Sequence, residues 1–257
     1  MTRAAAVLLA MSLFPICGIS QSFIEQHTNK YPAGAKTRIA LQNGAGNVTV
    51  LPWNEPMAQI DWVLRAYHKR ALDEAWVEIN PEGDRIDVRT AYPIAKDVAA
   101  RMRQRTSGPD SVDYVLHVPR SIGSIDILSE EGELKILEVN ADVRVSSRSG
   151  TVVIENVSGN MEITTMHAPQ VVRLGTISGH RAIRLGSVNG SIRVSLSRAS
   201  NVKVQAASAS GGLSNDFGWT VQKRSQESGR NLRGKLGTGE AVVQIEEVNG
   251  SISAIAE

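Results

Sequence analysis

The feature that most constrains the fold is a repeat in the second half of the chain. Short triplets with an apolar first and third residue alternate with turn residues. Successive turn positions from Gly150 to Gly190 lie about nine to eleven residues apart, and Ala168-Pro169 occupies one of them. Such alternation predicts strands with one buried and one solvated face. The triplets are Leu134–Ile136, Val143–Val145, Met161–Ile163, Val172–Leu174, Ile183–Leu185, Ile192–Val194 and Val202–Val204.

Two all-β architectures fit short strands at this spacing. One is an antiparallel sandwich or barrel with hairpins at the Asn-Gly pairs, and the other is a solenoid of stacked rungs. The similarity of successive units favours the solenoid, because stacked rungs place equivalent residues in equivalent environments. We therefore predict a single elongated, parallel β-solenoid (β-helix-like) domain over residues 37–257, with rungs of about twenty residues.

The segment VNGSI occurs twice, at Val188–Ile192 and Val248–Ile252, 60 residues apart. The two copies are predicted to form equivalent corners three rungs apart. Outside the repeats, the sequence predicts a short helix over Tyr67–Ala75. It also predicts two polar loop excursions, over residues 95–110 and 216–239.

The first twenty residues resemble an export signal. Arg3 precedes an apolar run, Ala4–Phe14, and the small residues Gly18 and Ser20 predict cleavage before Gln21. Residues 21–36 are then a lead-in to the domain. No later segment is apolar enough to cross a membrane, so we expect an exported protein that is periplasmic, secreted or at the cell surface.

The only cysteine, Cys17, lies within the predicted signal. A lipid anchor on Cys17 is the alternative, but Phe14-Pro15-Ile16 is a poor lead-in, since the residue before such a cysteine is normally small. Cleavage before Gln21 leaves a mature chain without disulfides or thiol chemistry.

Charge is unevenly distributed although the net charge is only +2, which does not indicate a nucleic-acid binder. The 53 residues from Ile163 to Asn215 contain no Asp or Glu. Arg173 and Arg193 are 20 residues apart, and Arg184 and Lys203 are 19 apart. With two strands per rung, each pair would stack into a short cationic ladder.

These four residues are the predicted binding site for an anionic partner, such as an acidic glycan, lipopolysaccharide or an envelope protein. The alternative is an ordinary solvated face whose arginines serve solubility.

No motif predicts catalysis, a cofactor or a metal. The chain lacks G-x-S-x-G, and Gly44-Ala45-Gly46 and Gly237-Thr238-Gly239 do not complete a phosphate loop. The five histidines lack metal-ligand spacing. A polysaccharide-active enzyme stays open as an alternative because acidic residues cluster in the middle of the chain, although their density favours a solvated acidic face. They are Asp126, Glu130, Glu131, Glu133 and Glu138, with Asp142, Glu155 and Glu162 nearby.

Three stretches resemble a known family, the bacterial putative adhesin domain of exported proteins. They are Asn47–Val50 with Trp53, then Asp113–Pro119, then Ser214–Phe217 with Leu232–Gly239 and Val248–Ile252. The resemblance covers roughly Thr37 to Ile255. It implies a parallel β-solenoid-like fold at the cell envelope and brings no established catalytic residues. We thus expect a non-catalytic binding or structural module, with a partner-binding element of envelope stress signalling as a further alternative.

Overall fold

The computed structural model describes residues 22–73, 75–91, 110–223 and 229–257. These residues form an all-β structure of two large sheets. The described helix, α1 (Lys69–Leu72), has four residues and lies within the predicted Tyr67–Ala75. The all-β class predicted from the sequence is confirmed.

The sheets have ten and eleven strands and are called sheet A and sheet B. In chain order the strands are β1 (Phe23–Pro32), β2 (Arg38–Ala45), β3 (Val48–Trp53), β4 (Met57–Ala66), β5 (Trp76–Glu82), β6 (Arg85–Ala91), β7 (Ser111–Pro119), β8 (Ser121–Glu131), β9 (Leu134–Leu137), β10 (Asn140–Ser149), β11 (Val152–Glu155), β12 (Met161–His167), β13 (Gln170–Arg173), β14 (Ala182–Ser187), β15 (Ile192–Leu196), β16 (Val202–Ser208), β17 (Leu213–Asn215), β18 (Val221–Lys223), β19 (Arg230–Leu236), β20 (Ala241–Glu247) and β21 (Ile252–Ala256). Sheet A has the order β1-β4-β7-β3-β9-β11-β13-β15-β21-β17, and sheet B has the order β18-β19-β16-β20-β14-β12-β10-β8-β2-β6-β5.

In the middle of the molecule, successive strands alternate between the sheets. We call one strand of sheet B and the following strand of sheet A a rung. The rungs β8/β9, β10/β11, β12/β13 and β14/β15 stack in chain order with parallel pairing. Equivalent residues are 18 apart between β10 and β12, and 22 apart between β12 and β14. The parallel stacking predicted from the repeats is therefore present here.

The stacking order departs from the chain order at both ends. The rung β20/β21 lies between β14/β15 and β16/β17, although it comes last in the sequence. At the other end, β2/β3 lies between β6/β7 and β8/β9. Antiparallel pairs then complete each end: β1 with β4, β4 with β7 and β5 with β6 at one, and β18 with β19 and β19 with β16 at the other. One parallel array in chain order, as predicted, does not describe these ends.

The two VNGSI segments form equivalent corners on neighbouring rungs. Asn249 Nδ2 donates to Asn189 Oδ1 at 2.9 Å, and the Val248 amide donates to the Ser187 carbonyl at 3.1 Å. The equivalence of the corners is confirmed, but the predicted separation of three rungs is wrong. The 60 residues between them include β16–β19, which lie on the far side of β20/β21.

The region predicted as a polar loop, residues 216–239, contains two strands, β18 and β19. Apolar contacts tie this region to the rest of the fold: Leu232 of β19 is buried in the core, and Trp219, just before β18, lies over Gly234. This corrects one of the two predicted excursions. The other, residues 95–110, lies outside the described residues except for Asp110, as does the predicted signal peptide.

The core consists of the inward-facing residues of both sheets and is almost entirely aliphatic. The alternating burial of β10, β12 and β14 matches the triplets of the sequence. Because only 4% of the residues are aromatic, Val, Ile and Leu fill the space between the sheets. The outward-facing residues of each sheet therefore form the two broad surfaces available for binding.

Candidate functional site

The four predicted binding residues are divided between the two outer faces. Arg184 on β14 and Lys203 on β16 point outward from sheet B. Arg173 on β13 and Arg193 on β15 point outward from sheet A, on the opposite side of the core. All four side chains are exposed. One continuous surface therefore cannot include all four.

Neither predicted ladder is present on sheet A or sheet B. Arg193 stands opposite Val171, and Arg173 stands opposite Ser195 and forms an ion pair with Glu155. The prediction assumed a spacing of twenty residues, whereas the rungs here are 18 or 22 residues apart. On sheet B, β20 lies between the strands of Arg184 and Lys203.

The structure instead brings Arg184 and Lys203 together with two cations that the sequence prediction missed. Lys203 stands directly opposite Lys235 in the antiparallel pair of β16 and β19, and Gln205 stands opposite Arg233. We call Arg184, Lys203, Arg233 and Lys235 the cationic patch. All four are exposed, and within the described residues none forms an ion pair. Sequence reasoning missed Arg233 and Lys235 because it placed them in a loop, although these two residues alternate with Leu232, Gly234 and Leu236 as in a strand with one buried face.

Two glutamine side chains lie between the cations. Gln244 on β20 accepts a hydrogen bond from Arg184 Nε at 3.2 Å, and Gln205 on β16 is its neighbour in the parallel register. Both line a shallow depression of about 190 Å³ that also includes Arg233 and, at one side, Glu246. Amide groups can donate to and accept from hydroxyls, while the cations can pair with acidic groups. The patch thus has the donors to hold a polyhydroxylated anion.

A larger groove of about 1050 Å³ lies on the same face of sheet B, toward β2 and β6. Five cationic and five acidic side chains line it, so we call it the mixed-charge groove. It contains Asp126, Asp142 and Glu162 from the predicted acidic cluster. Arg144 Nε donates to Glu162 Oε2 at 3.2 Å, and the backbone amide of Asn160 donates to Asp142 Oδ1 at 2.8 Å. Two of these three carboxylates are therefore held by neighbouring residues.

Several other cations serve the fold. In the groove, the hydrogen bond from Arg85 to Asp87 raises the pKa of the Arg85 guanidinium. Arg181 is half-buried and donates to the Val157 carbonyl at 3.2 Å, and burial lowers its pKa. Within the acid-free stretch, Arg173 is paired with Glu155 and Arg181 is half-buried, so the stretch contributes fewer free cations than its composition indicates.

Neither a metal site nor a membrane-spanning helix is found in the part of the chain that the structure describes. No three His, Cys, Asp or Glu side chains of these residues lie close enough together to hold a metal ion. None of the helical segments described is long and apolar enough to cross a bilayer.

The described residues place the chain in the class of all-β proteins, with stacked parallel rungs and charged residues on the outer faces of both sheets. Within that class the chain belongs to the Toastrack DUF4097 family, which matches residues 32–254. The family resemblance drawn from the sequence is confirmed. No curated protein sequence matches the chain.

Solved structures similar to this chain include a putative cell adhesion protein from Clostridium sporogenes, with 12% identity and a TM-score of 0.50 over 91% of this chain and 100% of the other. Another is a putative adhesin from Bacteroides fragilis, with 9% identity and a TM-score of 0.33 over 90% and 97% of the two chains. At these identities, the first similarity shows the shared fold alone.

Proposed function

We propose that the protein is a non-catalytic binding module of the bacterial envelope, which holds an anionic polysaccharide on the cationic patch. In this proposal the central rungs form a β-solenoid segment, and the leader over residues 1–20 exports the chain. The observation that carries the proposal is the patch itself, with four exposed cations on β14, β16 and β19, none of which forms an ion pair among the described residues.

The geometry suits an extended polymer running across the strands. Neighbouring strands are about 4.8 Å apart, so the four strands β14, β20, β16 and β19 span about 14 Å. This length accommodates two to three sugar units, whose acidic groups would reach the cations and whose hydroxyls would reach Gln205 and Gln244. Lys203 and Lys235 face each other as like charges, which is unfavourable without a counter-ion. A bound polyanion relieves that repulsion.

The name of the structural neighbour from Clostridium sporogenes, a putative cell adhesion protein, supports a binding role for this chain. A polysaccharide-active enzyme is the second candidate, favoured by the three carboxylates of the predicted acidic cluster that line the mixed-charge groove. The ion pair of Glu162 and the hydrogen bonds to Asp142 argue for a structural use of these groups.

The test measures binding of the chain from Gln21 to immobilised alginate, a polyuronate, with neutral dextran as the reference. The variant combines Arg184→Gln, Lys203→Gln, Arg233→Gln and Lys235→Gln. Exposed ion pairs contribute up to about 1 kcal/mol each, so we expect at least a ten-fold loss of alginate affinity, roughly 1.4 kcal/mol. Wild-type binding should weaken as salt rises, since screening acts on exposed charges.

The matched control removes four cations from the outer face of sheet A: Arg65, Lys135, Arg173 and Arg193, each changed to Gln. Its net charge changes equally, and it includes the other two predicted residues. We expect alginate affinity within about two-fold of wild type. Equal losses in the two variants would show that net charge alone governs retention and would contradict the proposal. Release of shortened alginate chains would favour the enzyme.

A further inference from the structure

The first strand of sheet A has an unusual exposure. β1 is ten residues long and nearly all of it is exposed on both faces. Its hydrophobic residues Phe23 and Ile24 are 38% and 48% exposed. It pairs with β4 along one side, and in the described part of the chain no strand pairs with its other side. Ten unpaired residues at a sheet edge are a template for another strand.

The opposite end of the molecule is closed. There the edge strands β17 and β18 have three residues each. Phe217 and Trp219 stack with ring centroids 4.5 Å apart, and the indole covers Gly234. Arg198 lies over the Phe217 ring at 5.3 Å. Short edges covered by aromatic side chains prevent strand addition, so the two ends differ in what they can accept.

We propose that two copies of the protein pair through their β1 strands, antiparallel, in a two-fold dimer centred on His27. In such a dimer the two-fold axis is perpendicular to the sheet, so residues with the same facing must oppose each other. Centring on His27 places Phe23 opposite Tyr31 of the second copy, twice. It also places Glu25 opposite Asn29, and no two like charges oppose each other apart from protonated His27 with itself.

The outward side of β1 is equally compatible. There Ile24 opposes Lys30 of the second copy, whose aliphatic stem can cover it, and Gln26 opposes Thr28. Aromatic and polar cross-strand pairs of this kind stabilise antiparallel strands. Pairing of the two β1 strands makes sheet A continuous across both copies. A second copy therefore fits this edge.

The dimer has a consequence that rests on the proposed function. A two-fold axis perpendicular to sheet A leaves sheet B on the same side in both copies. The two cationic patches then face the same way, so one polymer-coated surface can engage both. Bivalent attachment of this kind raises the apparent affinity without any new contact.

The first test measures oligomeric state alone, without any glycan, by light scattering and sedimentation over about 1 to 100 μM. Two variants share Thr28→Lys and differ only in residue 26. Gln26→Lys sets like charges opposite each other twice per dimer, and Gln26→Glu sets opposite charges there. Relative to the wild-type chain, we expect the dimer Kd to rise about five-fold with Gln26→Lys and to fall about five-fold with Gln26→Glu. Residue 26 stands directly opposite Val63 of β4 within its own chain, so neither introduced charge has a charged residue directly opposite it there.

The register is tested by a single cysteine, His27→Cys, with Cys17→Ser in the same chain. Mild oxidation should give a disulfide-linked dimer, whereas Thr238→Cys, at an exposed turn far along the chain, should give none. A monomer throughout the concentration range, or a dimer that responds to neither residue-26 variant, overturns the proposal. Because glycan is absent from these measurements, their outcome does not depend on whether the cationic patch binds alginate.

Discussion

At the scale of single residues, the corner glycines show why the corners of the stacked rungs require small side chains. Gly132 adopts φ +128°, and a Cβ there would lie 2.1 Å from the carbonyl oxygen of Gly46 on the neighbouring rung. Gly150 bears the same relation to Gly132, and Gly250 to Gly190. Ala168 takes the equivalent place next to Gly190, where an added Cβ would lie 2.3 Å from the Ala168 carbonyl oxygen. The corners therefore stack with backbone directly on backbone.

Gly132→Ala should be strongly destabilising because its methyl group meets main chain that cannot move independently of the stack. We expect a loss of about 3 kcal/mol or more in the free energy of unfolding, measured by urea denaturation. Gly179→Ala is the control, since Gly179 has φ +72° but nothing within 4 Å of an added Cβ. It should cost about 1 to 2 kcal/mol, the strain of the backbone alone. Equal losses would show that the close contact is unimportant.

At the scale of strands, the sequence predicts which residues form strands better than it predicts which strands pair with each other. Alternation predicts β10, β12 and β14 because each strand's burial depends on its own pattern. The pairing of Arg173 with Glu155 could not be predicted from an average rung of twenty residues, since a two-residue error moves a side chain to the next row. The cationic patch was only partly predicted for a different reason. Arg233 and Lys235 lie in a stretch that was predicted as a loop, whereas it forms β19, which pairs with β16 and sets Lys235 opposite Lys203.

Truncations at the two ends of the chain should differ, because β20/β21 is inserted between other rungs whereas β1 lies at the edge of sheet A. Removing residues 240–257 deletes β20/β21 and separates β14/β15 from β16/β17, so we expect loss of cooperative unfolding and of native near-ultraviolet circular dichroism. Removing residues 22–32 deletes β1, which contributes little to the core, and should leave a cooperative transition within a few degrees of wild type. A folded chain without β20/β21 would show that the inserted rung is dispensable.

At the scale of the whole molecule, the question is whether the stack unfolds as one unit. Repeat stacks held together only by neighbouring contacts can unfold in parts. Here one cluster of buried residues extends from Ala33 to Ile252, and the rungs β2/β3 and β20/β21 are each inserted between rungs formed elsewhere in the sequence. Unfolding of either inserted rung must therefore break pairing on two sides. We expect a single transition in calorimetry, with equal calorimetric and van't Hoff enthalpies.

Two substitutions at opposite ends test this cooperativity. Ile60→Ala removes a fully buried side chain from β4, and Trp219→Ala removes the indole that covers Gly234 at the far end. Truncation of the fully buried Ile60 costs about 2 to 5 kcal/mol, and truncation of the half-buried Trp219 costs less. Each kcal/mol lowers Tm by about 2 to 4 °C in a chain of this size. In a single unit both variants lower the whole transition, and their effects add because the sites share no partners. If the transition instead splits, with each variant moving only one component, the two ends are separate units. The cationic patch would then belong to the unit formed by the C-terminal strands, and its affinity would follow Trp219→Ala alone.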